Sequence, residues 1–308
     1  MFRILPDIPT FEFMRWRPTF FAFSMALILG SLGYYFVLGL NYGIDFEGGV
    51  LIEVRTPEAA DLGAMRATLG GLGLGEVALQ EFGEPTDVLI RVQKQDGGEE
   101  AQQRAIEALR AALGQGVDYR RVEFVGPKVG DELIVAGVTA VLLAIAAMLI
   151  YIWFRFEWQF GVGAVLALTH DVVATIGIFS LFQFEFNLST VAAILTIAGY
   201  SINDTVVIYD RVRENLRKYK RMALEELFNR SINQTLSRTI RTSVTTLLAL
   251  FALYFFGGEV LAGFSFAMIF GVLIGTYSSI FIAVPLILYM NLRRDSGADD
   301  SNRVEKTE

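Results

Sequence analysis

The stretch Ala198–Asn215, with the sequence AGYSINDTVVIYDRVREN, decides the fold class of this chain. It carries Asn203 and Asp204 inside an apolar run that begins at Leu188 and ends before a basic cluster. An ionised aspartate inside such a run costs about 2.5–3.5 kcal/mol on membrane-insertion scales. The carboxyl normally faces the interior of a helix bundle or a water-filled cavity, so the pattern predicts a membrane protein organised around Asp204.

The composition supports a polytopic α-helical membrane protein. The chain has 308 residues, of which 53% are hydrophobic, and its mean hydropathy is +0.46. A soluble chain of this length does not carry several uninterrupted apolar stretches of membrane-spanning length. Cysteine is absent, which excludes a disulfide framework, a thiolate metal site and a cysteine nucleophile.

Six apolar runs divide the chain. They predict spans at residues 18–40, 133–154, 160–182, 188–209, 239–256 and 264–290. The first run lacks a small-residue cleavage site, so we interpret it as a retained span and not as a signal peptide. The predicted parts are an N-terminal segment at 1–17, span 1 at 18–40, a polar domain at 41–130, spans 2–6 within 131–290 with a loop at about 210–238, and a disordered tail at 291–308.

The polar domain between spans 1 and 2 has the periodicity of a small α+β fold. Strands are predicted at 49–56, 76–82, 87–93 and 119–125, and helices at 59–73 and 99–116. The order β-α-β-β-α-β is that of the ferredoxin-like arrangement. After span 4, the apolar spacing of residues 222–236 predicts a helix on the membrane surface.

The distribution of charge predicts the orientation. Residues 210–241 carry nine basic and four acidic side chains, whereas residues 41–130 carry nine basic and fifteen acidic ones. Because basic loops stay in the cytoplasm, we expect both termini and the 210–238 loop there. The domain at 41–130 is then periplasmic, outside the inner membrane.

Asp204 has two interpretations. In the functional one, burial makes the charged form of the carboxyl costly, so that the group exchanges protons as a relay requires. In the structural one, neighbouring hydroxyls or an arginine satisfy the carboxyl, and it only holds helices together. The cost of an intramembrane carboxylate favours the functional interpretation.

His170 and Asp171 lie near the middle of span 3, and His170 is the only histidine. Adjacent helical residues point about 100° apart, so we expect the two side chains not to pair with each other. They belong either to a polar network shared with Asp204 or to a fixed hydrogen bond with a neighbouring span. A single histidine without a second ligand nearby disfavours a metal site.

Arg238 and Arg241 open span 5. Arginines at this depth usually anchor the helix at the membrane interface. Arg238 nevertheless shares a helix face with Thr242, four residues on, and from the bundle side it would hold Asp204 ionised. We therefore leave Arg238 open between the two roles and expect Arg241 to be an anchor.

Glycines flank the polar domain on both sides. They allow backbone angles that other residues avoid, which suits either rigid turns or hinges. The candidate joint residues are Gly43, Asp45, Gly48 and Gly49 after span 1, and Gly126, Pro127 and Gly130 before span 2.

Several functions have no sequence support. The chain contains no GxxxxGK[ST] motif and no GxGxxG in a strand-to-helix setting. No Ser/His/Asp arrangement for nucleophilic catalysis is apparent, and an acidic outer domain disfavours nucleic-acid binding.

Five stretches carry a resemblance to a known family. They are GIDFEGG (Gly43–Gly49), VGPKVGDEL (Val125–Leu133), HDVVATIGIFSL, AGYSINDTVVIYDRVREN and RTSVTTLLALFALYFFGG. With the six-span plan they resemble the SecF family, the smaller membrane subunits of the bacterial SecDF protein-translocation accessory complex. The resemblance covers nearly the whole chain, and NDTVVIYDR is its most specific part.

The SecF family belongs to the resistance-nodulation-division superfamily of proton-driven transporters. The resemblance implies one half of a twelve-span assembly with SecD in the membrane lipid, beside the SecYEG channel and YajC. It also implies that the outer domain binds unfolded preprotein and moves, with protons as the coupling ion and no other cofactor. The family's proton-entry aspartate and arginine match Asp204 and Arg238, with Thr242 beside them.

Two other functions stay open. In the first, the chain is a non-catalytic scaffold that links SecD to the channel, and Asp204 is structural. In the second, it is a small-molecule or lipid exporter of the same superfamily, although such exporters usually carry two six-span halves and larger paired outer domains in one chain. None of the three interpretations makes the chain an enzyme.

Overall fold

The computed structural model describes residues 9–75, 77–95, 97–114 and 116–290. The predicted disordered tail at 291–308 and the first eight residues lie outside the described residues. The helices are α1 (Arg17–Leu38), α2 (Ile44–Glu47), α3 (Leu62–Gly70), α4 (Gly98–Leu113), α5 (Pro127–Arg155), α6 (Trp158–Phe182), α7 (Leu188–Lys218), α8 (Leu224–Phe256), α9 (Glu259–Ser278) and α10 (Val284–Leu288). The strands are β1 (Asn41–Tyr42), β2 (Gly49–Arg55), β3 (Val77–Phe82), β4 (Glu84–Gln93), β5 (Asp118–Val125) and β6 (Glu185–Phe186).

Six helical segments of the described chain are long and apolar enough to cross a membrane. They are α1, α5, α6, α7, α8 and the segment formed by α9, a π-helical turn at Ser279–Ala283, and α10. Helices satisfy every backbone polar group internally, which is the requirement that a bilayer imposes on a spanning segment. The predicted fold class, six apolar helices with a small α+β domain after the first, is confirmed.

The domain between α1 and α5 has the predicted order of strands and helices. Its sheet is antiparallel, with the strand order β3-β4-β2-β5, which is the ferredoxin-like order. Alternate residues of the central strands point to one face, where α3 and α4 cover them. Val50, Ile52, Ile90 and Leu109 are fully buried there. This core is separate from the core of the membrane helices.

The membrane helices are longer than the sequence predicted at one end of the bundle. α7 continues past Tyr209 to Lys218, and α8 already begins at Leu224. The predicted separate surface helix at 222–236 is therefore wrong, because this segment is the first part of α8. Its apolar stripe, which includes Leu227 and Phe228, packs into the core of the bundle.

Polar contacts hold these helix extensions together. The Asn215 side chain of α7 donates hydrogen bonds to Ser231 Oγ at 2.8 Å and to Gln234 Oε1 at 2.9 Å on α8. The sequence could not distinguish the two positions of residues 222–236, because an apolar stripe with a helical period suits a packed core as well as a lipid surface. The packing against α7 decides for the core.

The domain between α1 and α5 lies outside the helix bundle and is called the outer domain below. Arg55 and Asp87 form a cross-strand ion pair in it. They are directly opposite on β2 and β4. The guanidinium binds the carboxylate with two nitrogens, and its Nη2 lies 2.5 Å from Oδ2. The Arg55 hydrogen bonds lower the pKa of Asp87 from its ordinary value. The pair consequently stabilises the domain above the unfolded-state pKa of about 4 and stops doing so as the pH falls through the lower folded-state pKa.

We predict that Asp87→Asn destabilises the outer domain at neutral pH and that this difference from wild type shrinks in strong acid. Amide hydrogen exchange of β2 and β4 in the purified chain checks this, with both proteins measured at each pH. Glu58→Gln is the control, because Glu58 is exposed and forms no ion pair within the described part of the chain. A difference between Asp87→Asn and wild type that is the same at every pH contradicts the assignment.

Candidate functional site

Asp204 lies in the interior of the membrane helices. Its side chain is buried on α7, with 3% of the residue's surface exposed. The buried oxygen Oδ2 has no hydrogen-bond partner among the residues that the structure describes. The neighbouring Asn203 is exposed. Because a buried polar atom is almost always satisfied in a folded protein, the unpartnered carboxylate oxygen of Asp204 needs an explanation, and it is the one carboxylate oxygen among the few such atoms of the described residues.

Arg238 of α8 is the cation that acts on Asp204. Its side chain is exposed, as that of Arg241 is, and no ion pair within 4.0 Å joins it to Asp204 in the described structure, so its charge reaches the carboxylate only at longer range. The Thr242 hydroxyl donates to the carbonyl of Arg238 at 3.2 Å and to that of Thr239 at 2.8 Å. Arg241 is exposed and donates from Nε to the Ser237 carbonyl, so it is turned back along its own helix.

A second carboxyl, Asp171 of α6, is satisfied from several sides. It is fully buried. Its Oδ2 accepts hydrogen bonds from Ser201 Oγ of α7 at 2.6 Å and from Ser278 Oγ of α9 at 2.7 Å. These contacts tie three helices together at one point.

The prediction that His170 and Asp171 do not pair is wrong. His170 Nδ1 lies 3.1 Å from Asp171 Oδ1, and both side chains are buried. Their Cβ atoms do point apart around the helix, but the side chains are long enough to turn toward each other. In an interior with little access to water, the pair satisfies atoms that otherwise have no partner. The other ring nitrogen of His170 has none among the described residues.

The hydroxyl groups of the last span were missed by the sequence analysis. Thr276, Ser278 and Ser279 all face the bundle. Ser279 Oγ lies 2.8 Å from Thr205 Oγ1 on α7 and opens the π-helical turn. Such turns often occur at functional sites. The signal was visible as the TYSS sequence at residues 276–279, which interrupts an apolar run.

The glycine-rich joint after α1 is packed against the start of α7. β1 pairs in parallel with β6, and the Gly43 amide donates to the Phe186 carbonyl at 2.9 Å. Asp45 Oδ2 accepts a hydrogen bond from the Leu188 amide at 2.9 Å, at the first turn of α7. The carboxylate there also meets the favourable end of the helix dipole.

Two of the joint glycines have backbone angles that favour glycine. The φ angles are +77° at Gly48 and +142° at Gly49. Gly130, in the first turn of α5, lies against the Phe46 carbonyl, where a Cβ atom does not fit. Gly126 and Pro127 open α5. The two joints therefore meet, and their role as a hinge stays a prediction.

No group of three or more histidine, cysteine or carboxylate side chains in the described ranges is arranged to hold a metal ion. The carboxyls instead lie among hydroxyls and one arginine. Carboxyl and hydroxyl groups are the kinds of side chain that accept and donate protons. The fold and the site thus define a polytopic membrane protein with an ionisable interior and one outer α+β domain.

Comparison with known proteins identifies the family. The family model described as "Protein export membrane protein SecD/SecF, C-terminal" matches residues 105–293, and the "SecD/SecF GG Motif" matches residues 36–56. The chain is 50% identical over 289 residues to the protein translocase subunit SecF of Rickettsia felis, covering 92% of this chain and 93% of that protein. It is 46% identical to that of Cereibacter sphaeroides, covering 97% and 95%. The chain belongs to the SecD/SecF family of protein export membrane proteins, on the SecF side.

A solved structure has the same fold. The crystal structure of SecDF from Thermus thermophilus, described as a translocon-associated membrane protein, superposes with a TM-score of 0.80 at 38% identity. The match covers 93% of this chain and 39% of that one. A second, super-membrane-facing form of SecDF gives a TM-score of 0.71 at 35% identity. This chain is thus a translocase subunit, a transport protein rather than an enzyme, and spans about two-fifths of the SecDF chain.

We predict that Ser278→Ala destabilises the membrane bundle while Ser265→Ala does not. Ser278 donates to the buried Asp171 carboxyl, and losing a hydrogen bond of this kind costs about 1–3 kcal/mol. The Ser265 hydroxyl is also buried but has no partner among the described residues, so its removal leaves no new unsatisfied group. Thermal unfolding of the purified protein in one detergent compares the two variants. Equal loss in both contradicts the assigned role of Ser278.

Proposed function

We propose that this chain couples proton flow to protein export through Asp204. A carboxyl that only held helices together would be saturated with hydrogen bonds, as Asp171 is. Asp204 instead has a buried oxygen without a described partner, and the charge of the exposed Arg238 reaches it at longer range. That single observation favours a proton-carrying group over the scaffold interpretation.

The coupling requires two states of the helices around Asp204. The deprotonated carboxylate attracts Arg238, and protonation removes this attraction, so the two charge states favour different positions of α7 and α8. A proton that crosses a potential of 100 mV yields about 2.3 kcal/mol. Several protons, or an added pH gradient, are consequently needed for a large movement of the outer domain.

The partner in this mechanism is SecD. The matched SecDF chain is about two and a half times as long as the region that this chain covers, so a second half completes the bundle. Many apolar side chains of α1 and α5 are exposed, for example Phe36, Leu142 and Leu143. Exposed apolar surface of this kind suits lipid and a neighbouring membrane subunit.

The remaining assignments follow from this function. The complex acts beside the SecYEG channel and YajC in the bacterial inner membrane, with both termini in the cytoplasm and the domain at 41–130 in the periplasm. The outer domain takes unfolded preprotein and pulls it outward as Asp204 cycles between its charge states.

We predict that Asp204→Asn abolishes the stimulation of export by a proton gradient. The amide keeps the shape and hydrogen bonding of the side chain but does not carry a proton at physiological pH. Preprotein export is measured in vesicles that hold the cognate SecD, with and without a gradient, and co-purification of SecD reports assembly. Thr196→Ala, an exposed position on the same helix, is the matched control. Normal gradient stimulation in an assembled Asp204→Asn complex makes Asp204 structural and favours the scaffold.

Arg238→Gln is expected to lower the gradient-dependent part of export, and Arg241→Gln to leave most of it. Only Arg238 contributes a charge that acts on Asp204, whereas Arg241 is turned along its own helix. The same vesicle assay compares the two variants at equal amounts of assembled complex. A larger loss with Arg241→Gln shows that the wrong arginine has been assigned.

A further inference from the structure

Arg91 connects the outer domain directly to the membrane helices. It lies on β4, on the sheet face that α3 and α4 leave uncovered, and it forms an ion pair with Glu185 of β6. Both side chains are mostly buried, with 29% and 20% of their surfaces exposed. Asp45 lines the same cleft as Arg91 and Glu185, and its negative charge is attracted to the guanidinium at longer range. A partly buried pair of this kind is screened less by salt than a surface pair.

The partners of Arg91 lie at the start of α7. Glu185 precedes the first residue of that helix by three positions, and Asp45 accepts the hydrogen bond from the Leu188 amide. Asn187 is the N-cap residue of α7 and forms a capping box there. The sheet, the joint and the first turn of α7 are therefore joined at one place, which we call the Arg91 latch and define as Arg91, Glu185 and Asp45.

From the latch, α7 runs without a break to the functional carboxyl. Asp204 is sixteen residues after Leu188, a distance of about 24 Å at the rise of an α-helix. A continuous helix in a packed bundle shifts as a unit, since close-packed interiors transmit displacement. A movement of α7 at Asp204 thus reaches the latch with little loss.

The outer domain has space to move about the latch. A cleft of about 800 Å³ separates the open face of the sheet from the ends of the membrane helices. Leu51, Leu89 and Arg121 line it on the side of the sheet, and Tyr254 and Phe266 on the side of the helices. The latch is part of the lining of this cleft and holds the interior strand β4, so the domain can tilt about this point while its sheet stays attached.

We propose that Arg91, Glu185 and Asp45 are positioning residues that make the outer domain follow α7 when the charge state of Asp204 changes. This inference rests on the proposed function. Without the latch, the domain is attached to the bundle by its two joints and by a small contact between β3 and α9, which do not join the sheet itself to the start of α7. A shift of α7 then no longer sets the tilt of the sheet.

The test measures the position of the domain directly. Spin labels are attached at Glu107→Cys on α4 and at Phe256→Cys at the end of α8, both of them exposed positions. They are unique sites because the chain has no cysteine. Pulsed electron paramagnetic resonance on the complex assembled with a cysteine-free SecD gives the distance between the two labels. Asp204→Asn is the fixed mimic of the protonated state.

We expect Asp204→Asn to shift the distance distribution when the latch is intact and to leave it unshifted in an Arg91→Gln background. Glu185→Gln, which breaks the same pair from the other side, gives the same loss, and Arg91→Lys restores part of the shift. Arg121→Gln is the matched control, because Arg121 lines the same cleft but pairs with Glu123 of its own strand. In the vesicle assay, Arg91→Gln lowers the gradient-dependent part of export by about fivefold or more.

The outcomes separate this inference from the proposed function. An equal shift in the Arg91→Gln and wild-type backgrounds overturns the latch, whatever the export assay gives. Absence of any shift with the latch intact also overturns it, because there is then no movement to transmit. The effect of Asp204→Asn on export decides the proposed function independently of both results.

Discussion

The burial of a carboxyl among apolar helices is the constraint on which the rest of this structure depends. Asp204 is held in the interior of the bundle by the packing of α7 against α8 and α9. A buried charge is costly unless it is paired, and here the cation whose charge reaches it is Arg238 on a different helix. In the proposed function, the charge state of this one side chain therefore biases the relative position of α7 and α8.

Two carboxyls in the same bundle serve different purposes. Asp171 accepts hydrogen bonds from Ser201 and Ser278 and lies beside His170, so its surroundings are complete. It fixes α6, α7 and α9 to one another. Asp204, three residues after Ser201 on α7, is the less satisfied group. Because Asp171 ties α7 to α6 and α9, a movement of α7 at Asp204 is a movement relative to α8, and α6 and α9 follow it.

Much of this architecture was predictable from the sequence, because it depends on local patterns. Apolar runs of span length predicted the membrane helices. In the outer domain, alternating apolar residues predicted the strands and a helical period predicted the helices, which together set the order of its elements. The importance of Asp204 followed from the cost of its position. These features need no knowledge of which element packs against which.

Features that depend on tertiary contacts were not predictable. The stretch 222–236 has the same period whether it lies on lipid or packs on α7, and the structure has the second. The pairing of His170 with Asp171 depends on side-chain rotamers in a dry interior. Arg91 and Glu185 are far apart in the sequence and carry no motif, so nothing before the fold was known could join them.

The structure also explains why the GIDFEGG stretch is a motif. Gly48 and Gly49 supply unusual backbone angles, and Asp45 binds the start of α7. The joint is therefore a fitted part of the contact between the outer domain and the membrane helices, as well as a connection between them.

The central claim, that Asp204 takes up and releases a proton, is tested most directly by infrared difference spectroscopy of the assembled complex in lipid. The carbonyl stretch of a protonated carboxyl is recorded while the pH is changed, for wild type and Asp204→Asn. The account predicts a titrating carbonyl band in the wild type that is missing in the variant. A set of titrating bands that is identical in the two proteins contradicts it.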